Sequence, residues 1–230
     1  MKILVVGLCL AAALVFVSAA GAGTPPQMPG YRVDCTFVDG VHGWAEASLQ
    51  VGYPSDFQLL KSADGGATWQ CVFRTASQWK LVSWDAVDAR HVWRTAMIWT
   101  DPEQWGDGEP IFYPAIYRSS DGGGTWQEYS PGPLRWLEAP LAVLSQLNFV
   151  DPMHGWATAC EISDALWGGV LATTDGGRTW KWQLRQTGVT GGEVVMRNAR
   201  IGELTLWNYT LLSDSTYTTR DGGQHWTLSP

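Results

Sequence analysis

The sequence is poor in cysteine and in basic residues, and each shortage excludes a class of protein. Of four cysteines in 230 residues, three lie outside the first apolar run: Cys35, Cys71 and Cys160. Their number and spacing fit neither a disulfide framework nor a metal knuckle, so we expect buried thiols. Acidic residues outnumber basic ones by 22 to 15. An acidic chain without clustered Lys and Arg is poorly suited to nucleic acid.

Only one long apolar run is present, at residues 3–17 behind Met1 and Lys2. Small residues follow it, which is typical of a secretory signal peptide over residues 1–22 with cleavage between Ala19 and Ala22. An uncleaved N-terminal anchor is the alternative, because this run is close to the minimum length for crossing a bilayer. Residues 23–30 are predicted to be a flexible tether. We expect a secreted or periplasmic protein that meets a membrane only through an uncleaved N-terminus.

Helices and catalytic motifs are also missing. No segment combines the length, apolar spacing and cap of an amphipathic helix. No Ser/His/Asp arrangement, phosphate-binding glycine loop or nucleotide motif stands out. The sequence therefore predicts no cofactor and gives no positive sign of an enzyme.

What the chain does contain is a repeat. An eight-residue pattern of Ser/Thr, Asp, Gly, Gly and Trp occurs four times, as SADGGATW (62–69), SSDGGGTW (119–126), TTDGGRTW (173–180) and TRDGGQHW (219–226). A second pattern precedes each copy, as FVDGVHGWA (37–45), AVDARHVWR (86–94), FVDPMHGWA (149–157) and a degenerate RIGELTLW (200–207). In the degenerate copy, we interpret Trp207 as the equivalent of the earlier tryptophans.

Each repeat divides into four short strands rich in Val, Leu, Thr and aromatic residues, which we call A to D. The predicted fold is therefore all-β, a β-propeller over residues 31–230 made of four-stranded antiparallel blades. Four blades are expected, at about residues 31–78, 79–131, 144–187 and 193–230. A four-bladed monomer and a dimer completing a larger ring both remain open.

The Asp-Gly-Gly pattern suits the turn between strands C and D better than an active site. Its glycines allow positive φ, its carboxylate can accept hydrogen bonds from the turn, and its tryptophan can fill the wedge between sheets. A structural role is therefore expected for Asp64, Trp69, Asp121, Trp126, Asp175, Trp180, Asp221 and Trp226.

These motifs resemble the Asp-box, or BNR repeat, of propellers such as sialidases and sortilin-type receptors. Together with FVDPMHGWA, the chain looks most like the propeller family of the photosystem II stability and assembly factor. That resemblance implies a non-catalytic role in protein assembly. The chain departs from the family in having four visible repeats instead of about seven, and in lacking arginine-rich patches.

Three histidines, His42, His91 and His154, occupy the same place in successive repeats, at the A–B turn. Three imidazoles at one end of a propeller channel are candidate zinc ligands. The alternative is that each satisfies its own turn, and we predict no metal.

The longest interruption of the repeat is the connection between strands B and C of the second blade, residues 99–110. It lengthens the distance between the two motif tryptophans from 25 residues (44 to 69) to 33 residues (93 to 126). Loops on a rigid scaffold often carry binding residues, and exposed tryptophan beside charge suits recognition. The predicted binding residues are Trp99, Asp101, Glu103, Trp105, Asp107 and Glu109.

From the sequence we therefore expect a non-catalytic exported scaffold that binds a protein, or a glycan, at the cell envelope. The alternative is a sialidase-like or other glycosidase that uses acids of the same loop. Glycoside hydrolysis needs two facing carboxylates. A sialidase also needs an arginine cluster and a Tyr/Glu pair, which the sequence does not show.

Overall fold

The computed structural model describes residues 16–17, 23, 25–49, 55–77, 83–99, 112–129, 142–161, 167–208 and 213–229. All seventeen elements within these residues are β-strands, and they form four antiparallel sheets. No helix in the described residues is long and apolar enough to cross a membrane.

The first sheet has the order β1-β5-β4-β3-β2. Its strands are β1 (Phe16–Val17), β2 (Tyr31–Phe37), β3 (Gly43–Leu49), β4 (Ser55–Ser62) and β5 (Thr68–Ser77). Strand β1 lies inside the predicted signal sequence and pairs with the outer strand β5, Phe16 opposite Trp69. The signal sequence, the tether and the blade limits stay predictions.

The other three sheets contain four strands each, in sequential order. The second sheet consists of β6 (Trp84–Ala86), β7 (Val92–Trp99), β8 (Phe112–Ser119) and β9 (Gln127–Tyr129). The third consists of β10 (Ala142–Phe149), β11 (Gly155–Glu161), β12 (Trp167–Thr173) and β13 (Lys181–Thr187). The fourth consists of β14 (Val189–Met196), β15 (Gly202–Asn208), β16 (Ser213–Thr219) and β17 (Thr227–Leu228).

This meander of four strands, repeated in every sheet, is the blade of a β-propeller. The prediction of an all-β propeller with four blades is confirmed. Each blade has two ends. The A–B and C–D turns lie at one, which we call the turn end, and the B–C connection lies at the other, which we call the B–C end.

The chain divides into two compact units. The first comprises Met1–Lys80, Asp88–Arg90 and Ser120–Thr125, and the second comprises Leu81–Val87, His91–Ser119 and Trp126–Pro230. In the first unit, Ala45, Ala47, Leu60 and Trp69 form the buried core of blade one, with Met28 packed against them.

In the second unit, the apolar faces of successive blades pack against each other. Trp93 of blade two is fully buried and stacks on Phe149 of blade three, with ring centroids 3.7 Å apart. Its indole N–H donates to the carbonyl of Gly176, 3.0 Å away. Trp156 of blade three likewise joins Val194, Leu204 and other apolar residues of blade four. The motif tryptophan of one blade thus fills the interface with the next.

Hydrogen bonds also join the innermost strands of these blades. Acceptor side chains on one strand receive backbone N–H groups of the next, and the donor–acceptor pairs are Leu147 to Ser83, Phe149 to Asp85, Val194 to Gln146 and Met196 to Asn148. The acceptors are spaced two residues apart, Gln146 and Asn148 on β10 and Asp85 on β6 with Ser83 just before it, so the members of each pair face the same side.

The interpretation of Trp207 as the fourth motif tryptophan is wrong. Strand register places Gly43, Gly155 and Gly202 opposite Ser62, Thr173 and Thr219 respectively. Because Trp44 and Trp156 directly follow the first two glycines, the equivalent residue in blade four is Glu203. Trp207 lies four residues further along β15 and is 47% exposed.

Candidate functional site

The turn end of each blade carries one Asp-Gly-Gly turn, which is closed by its own polar side chains. In blade three, the Asp175 carboxylate accepts from the Thr179 backbone N–H (2.9 Å), the Thr179 hydroxyl (2.7 Å) and the Thr173 hydroxyl (2.8 Å). Thr173 Oγ1 in turn accepts from the N–H of Gly177, whose φ is +93°. A positive φ favours glycine, which explains the Gly-Gly pair.

The other three carboxylates are held in the same way. Asp64 and Asp121 accept from the backbone and hydroxyl of Thr68 and Thr125, and Asp221 accepts from the backbone and ring of His225. The backbone N–H of His225 and its ring lower the pKa of Asp221 to about 2. Hydrogen bonds from Thr68 likewise lower the pKa of Asp64. Carboxylates held ionised in this way are poor general acids.

The motif tryptophans Trp69 and Trp180 are buried, and each donates its indole N–H to the carbonyl of the second glycine of its turn, at 3.1 and 3.0 Å. Trp126 and Trp226 are half-buried. These contacts lie within each turn, so they support the turn's own geometry.

The A–B turns also repeat one geometry. Asp39 and Asp151 accept the backbone N–H of the residues two and three positions later, and Asn198 does so in blade four. Asp88 accepts the N–H of Arg90. The repeated pattern does not identify Asn198, because the histidine and tryptophan that mark the other copies are absent beside it.

The three candidate zinc ligands serve separate turns. His42 Nδ1 lies 2.8 Å from Asp39 and His154 Nδ1 lies 2.8 Å from Asp151. The ring of His91 lies 6.5 Å from that of Trp93, nearly parallel to it. Within the described ranges, no group of three or more His, Cys, Asp or Glu side chains is arranged to hold a metal ion.

The B–C end of blade two carries the predicted binding loop. Trp99 is the last residue of β7, opposite Phe112. Asp101, Glu103, Trp105, Asp107 and Glu109 lie outside the described residues, so their assignment as a binding surface stays a prediction.

The B–C end of blade one is a closed polar cluster. The Asp56 carboxylate accepts from Arg74 Nε and Nη2 at 2.8 and 3.0 Å, from the Tyr31 hydroxyl at 2.8 Å and from Gln58 at 3.0 Å. Partial burial opposes ionisation, but these donors outweigh it and lower the pKa of Asp56. The cluster therefore satisfies its own hydrogen bonds and favours the ionised form of Asp56.

The B–C end of blade three presents aromatic and cationic groups together. Trp167, the first residue of β12, is 6% exposed, and the guanidinium of Arg185 on β13 lies 3.8 Å from its ring centroid. Trp182 meets Trp167 edge to face at 5.5 Å, and its buried indole N–H has no hydrogen-bond partner in the structure. We call Trp167, Trp182 and Arg185 the blade-three platform.

The repeat does not reveal the platform, because Trp167, Trp182 and Arg185 all lie outside the repeated motifs. Strand register is the signal that links them. Gly169 lies opposite Arg185 and is two residues after Trp167 on β12, so Arg185 is a diagonal neighbour of Trp167.

One carboxyl group differs from the others in its electrostatics. Asp85 lies on β6, and burial raises its pKa to about 6 although two backbone N–H groups, of Phe149 and Ala86, favour its ionised form. Its oxygens already accept those two hydrogen bonds. Asp85 therefore acts as a hydrogen-bond acceptor that joins blade two to blade three.

Of the three cysteines outside the first apolar run, Cys160 is buried as predicted, whereas Cys35 and Cys71 are half-buried. Burial raises the pKa of Cys160 to about 11, and burial together with the Asp34 carboxylate does the same for Cys35. Thiols in this state are protonated at neutral pH and are poor nucleophiles.

Comparisons with known proteins support the fold. No family model matches the chain and no curated protein matches it. Among solved structures, a Hadza microbial sialidase is similar at TM-score 0.55 and 14% identity over 82% of this chain. A protein of unknown function from Dyadobacter fermentans is similar at TM-score 0.59 and 13% identity, over 94% of this chain and 71% of its own. The chain spans 44% of the sialidase. At these identities the likeness shows the propeller fold that this chain shares with them.

Proposed function

We propose that this protein is a non-catalytic, exported propeller scaffold that binds a protein partner at the cell envelope through the B–C end of its blades. The proposal includes the interpretation of the four Asp-Gly-Gly turns as Asp-boxes, and a role like that of the photosystem II stability and assembly factor family. A glycan is the second class of ligand that such a surface accepts.

The observation that carries the proposal is the blade-three platform. Arginine and tryptophan are the residue types that most often dominate binding energy at protein interfaces. Here an exposed guanidinium stacks on a buried indole, which fixes its position before a partner arrives. Such preorganisation reduces the entropy cost of binding.

The charges at the turn end argue against that end as a catalytic centre. The four carboxylates of the Asp-Gly-Gly turns are occupied by donors of their own turns. Binding at the B–C end leaves these turns to their structural role, and the predicted binding residues at 99–110 belong to the connection between β7 and β8, at that same end of blade two.

The experiment is a capture from envelope extract. The intact chain is compared with a variant whose residues 99–110 are replaced by a short Gly/Ser turn, and with Arg185→Ala. Lys181→Ala is the matched control, because Lys181 is an exposed cation at the opposite end of the same strand. We expect one partner to be captured by the intact chain and Lys181→Ala, and lost or reduced in the other two. Equal capture by all four proteins would contradict the proposal.

A glycosidase is the second candidate, favoured by the structural likeness to a sialidase. Its test is release of sugar from a panel of glycosides by the intact chain. Turnover that disappears when the acids at 101, 103, 107 and 109 are changed to amides would establish this candidate and overturn the non-catalytic assignment.

A further inference from the structure

Blade four has a cationic cleft at its turn end. The cleft has a volume of about 540 Å³ and is lined by Asn198, Ala199, Arg200, Ile201 and Arg220. It lies between the A–B turn and the Asp-Gly-Gly turn of the same blade. The Gly222 N–H donates to the Arg200 carbonyl at 2.8 Å, which joins the two turns at this point.

The backbone under the cleft is well supported. Asn198 Oδ1 accepts from the N–H groups of Arg200 and Ile201 at 2.9 and 3.0 Å. The Arg197 N–H donates to the Ile201 carbonyl at 2.8 Å. Arg200 and Arg220 therefore project from two turns that are fixed by hydrogen bonds.

Blade four departs from the other blades at several of the positions that line the cleft. Asn198 stands where blades one and three have Asp39 and Asp151, so the turn has lost its carboxylate. Ile201 stands where those blades have a histidine, and it is 45% exposed. Arg220 stands where the earlier turns have Ala63, Ser120 and Thr174.

Among the described residues, the positive charge of the cleft has no carboxylate partner. Arg200 and Arg220 are exposed, and neither forms an ion pair with a carboxylate of the described residues. Asp221 is adjacent in sequence, but its carboxylate accepts from the backbone and ring of His225 and from the Thr219 hydroxyl. Exposed Arg197 adds a third cation to the same turn.

We infer that this cleft is a second binding site, which takes an acidic peptide segment of a partner protein. Arginine guanidinium groups pair with carboxylates through parallel hydrogen bonds. A single small anion at an exposed arginine gains little, because water screens the attraction. A segment carrying several carboxylates can engage both arginines at once, and Ile201 offers an apolar contact for a side chain between them.

This site is independent of the B–C end, and its test does not use the platform. The probe is a fluorescent peptide of alternating Glu and Leu, titrated with the full chain at low salt. The variant is Arg200→Gln with Arg220→Gln. The matched control is Arg32→Gln with Lys181→Gln, which removes two exposed cations on strands of other blades.

We expect the double cleft variant to weaken binding about tenfold or more, with the control unchanged and the affinity falling as salt is added. A Lys/Leu peptide of the same length should not bind. Equal weakening by the control would show a non-specific charge effect and overturn the site. Inorganic phosphate is then added at a concentration equal to the peptide's dissociation constant. Displacement of the peptide by this phosphate would overturn the assignment of the cleft to an acidic peptide. Circular dichroism of both variants checks that they are folded.

Discussion

At the residue scale, the same type of side chain has different tasks at different places in the repeat. The aspartates of the Asp-Gly-Gly turns are exposed or half-buried, and donors of their own turns lower the pKa of Asp64, Asp175 and Asp221. Asp85 is half-buried between β6 and β10, where its charge is costly. The environment of each carboxylate, and not its residue type, therefore decides whether its pKa is lowered, as in the turns, or raised, as in Asp85.

The interblade position of Asp85 leads to a prediction about pH. Its pKa rises from 3.8 to about 6 on folding. Between pH 3.8 and about pH 6, the folded state therefore binds more protons than the unfolded state. Stability from this group is complete below about pH 4 and is lost as the pH rises through 6. Asp85→Asn keeps an acceptor oxygen and removes the charge, and we expect it to stabilise the protein at pH 7 by about 1–3 kcal/mol.

The measurement is urea unfolding at pH 4 and pH 7, followed by tryptophan fluorescence. Asn148→Asp is the matched control, because Asn148 makes the same bond one blade later, to the Met196 N–H at 2.7 Å. That variant should lose stability at pH 7. A gain for Asp85→Asn that is equal at both pH values would contradict this account.

At the element scale, strand register decides which residue of each blade occupies the position of the motif tryptophan. The repeats predicted the strands well, because the turns are encoded by short local patterns of Asp, Gly and Thr. They misplaced Trp207, because an aromatic residue at roughly the right distance does not report register. Thr219 opposite Gly202 does report it, and that pairing can be seen only in three dimensions.

Two tryptophan substitutions test this alignment. Trp93→Ala removes a fully buried ring that stacks on Phe149 and donates to Gly176, and we expect a loss of about 3–5 kcal/mol. Trp207→Ala removes a half-exposed ring and should cost about 1 kcal/mol or less. The loss of stability in each variant is measured from its denaturant midpoint, compared with that of the unsubstituted chain. Similar losses for both would contradict the assigned register.

The binding site was harder to predict than the strands. Trp167 and Arg185 are eighteen residues apart in different strands, and no repeated motif connects them. Their contact depends on the pairing of β12 with β13. The sequence marked blade two's long loop instead, because an insertion into a repeat is visible without any structure.

At the scale of the whole molecule, the repeat array sets how the blades depend on each other. Blades two, three and four share apolar interfaces and inner-strand hydrogen bonds within one compact unit. In repeat architectures much of the stability comes from such neighbour interfaces. Removing a blade should therefore harm the blade that it covered.

Truncation after Gly188 tests this dependence. It removes β14 to β17 and uncovers Trp156 and Val170, which are buried against blade four. We expect the fragment to bind a hydrophobic dye and to aggregate. A soluble fragment that unfolds cooperatively and binds no dye would show that blade four is dispensable.

The most direct test of the scaffold proposal is photo-crosslinking at defined positions in native envelope extract. A photoreactive amino acid is placed at Arg185, at the B–C end of blade three, and in a second protein at Met153, which is 43% exposed at the turn end of the same blade. We predict a discrete crosslinked partner from position 185 and none from position 153. Crosslinks from position 153 alone, or equal patterns from both, would contradict binding at the B–C end.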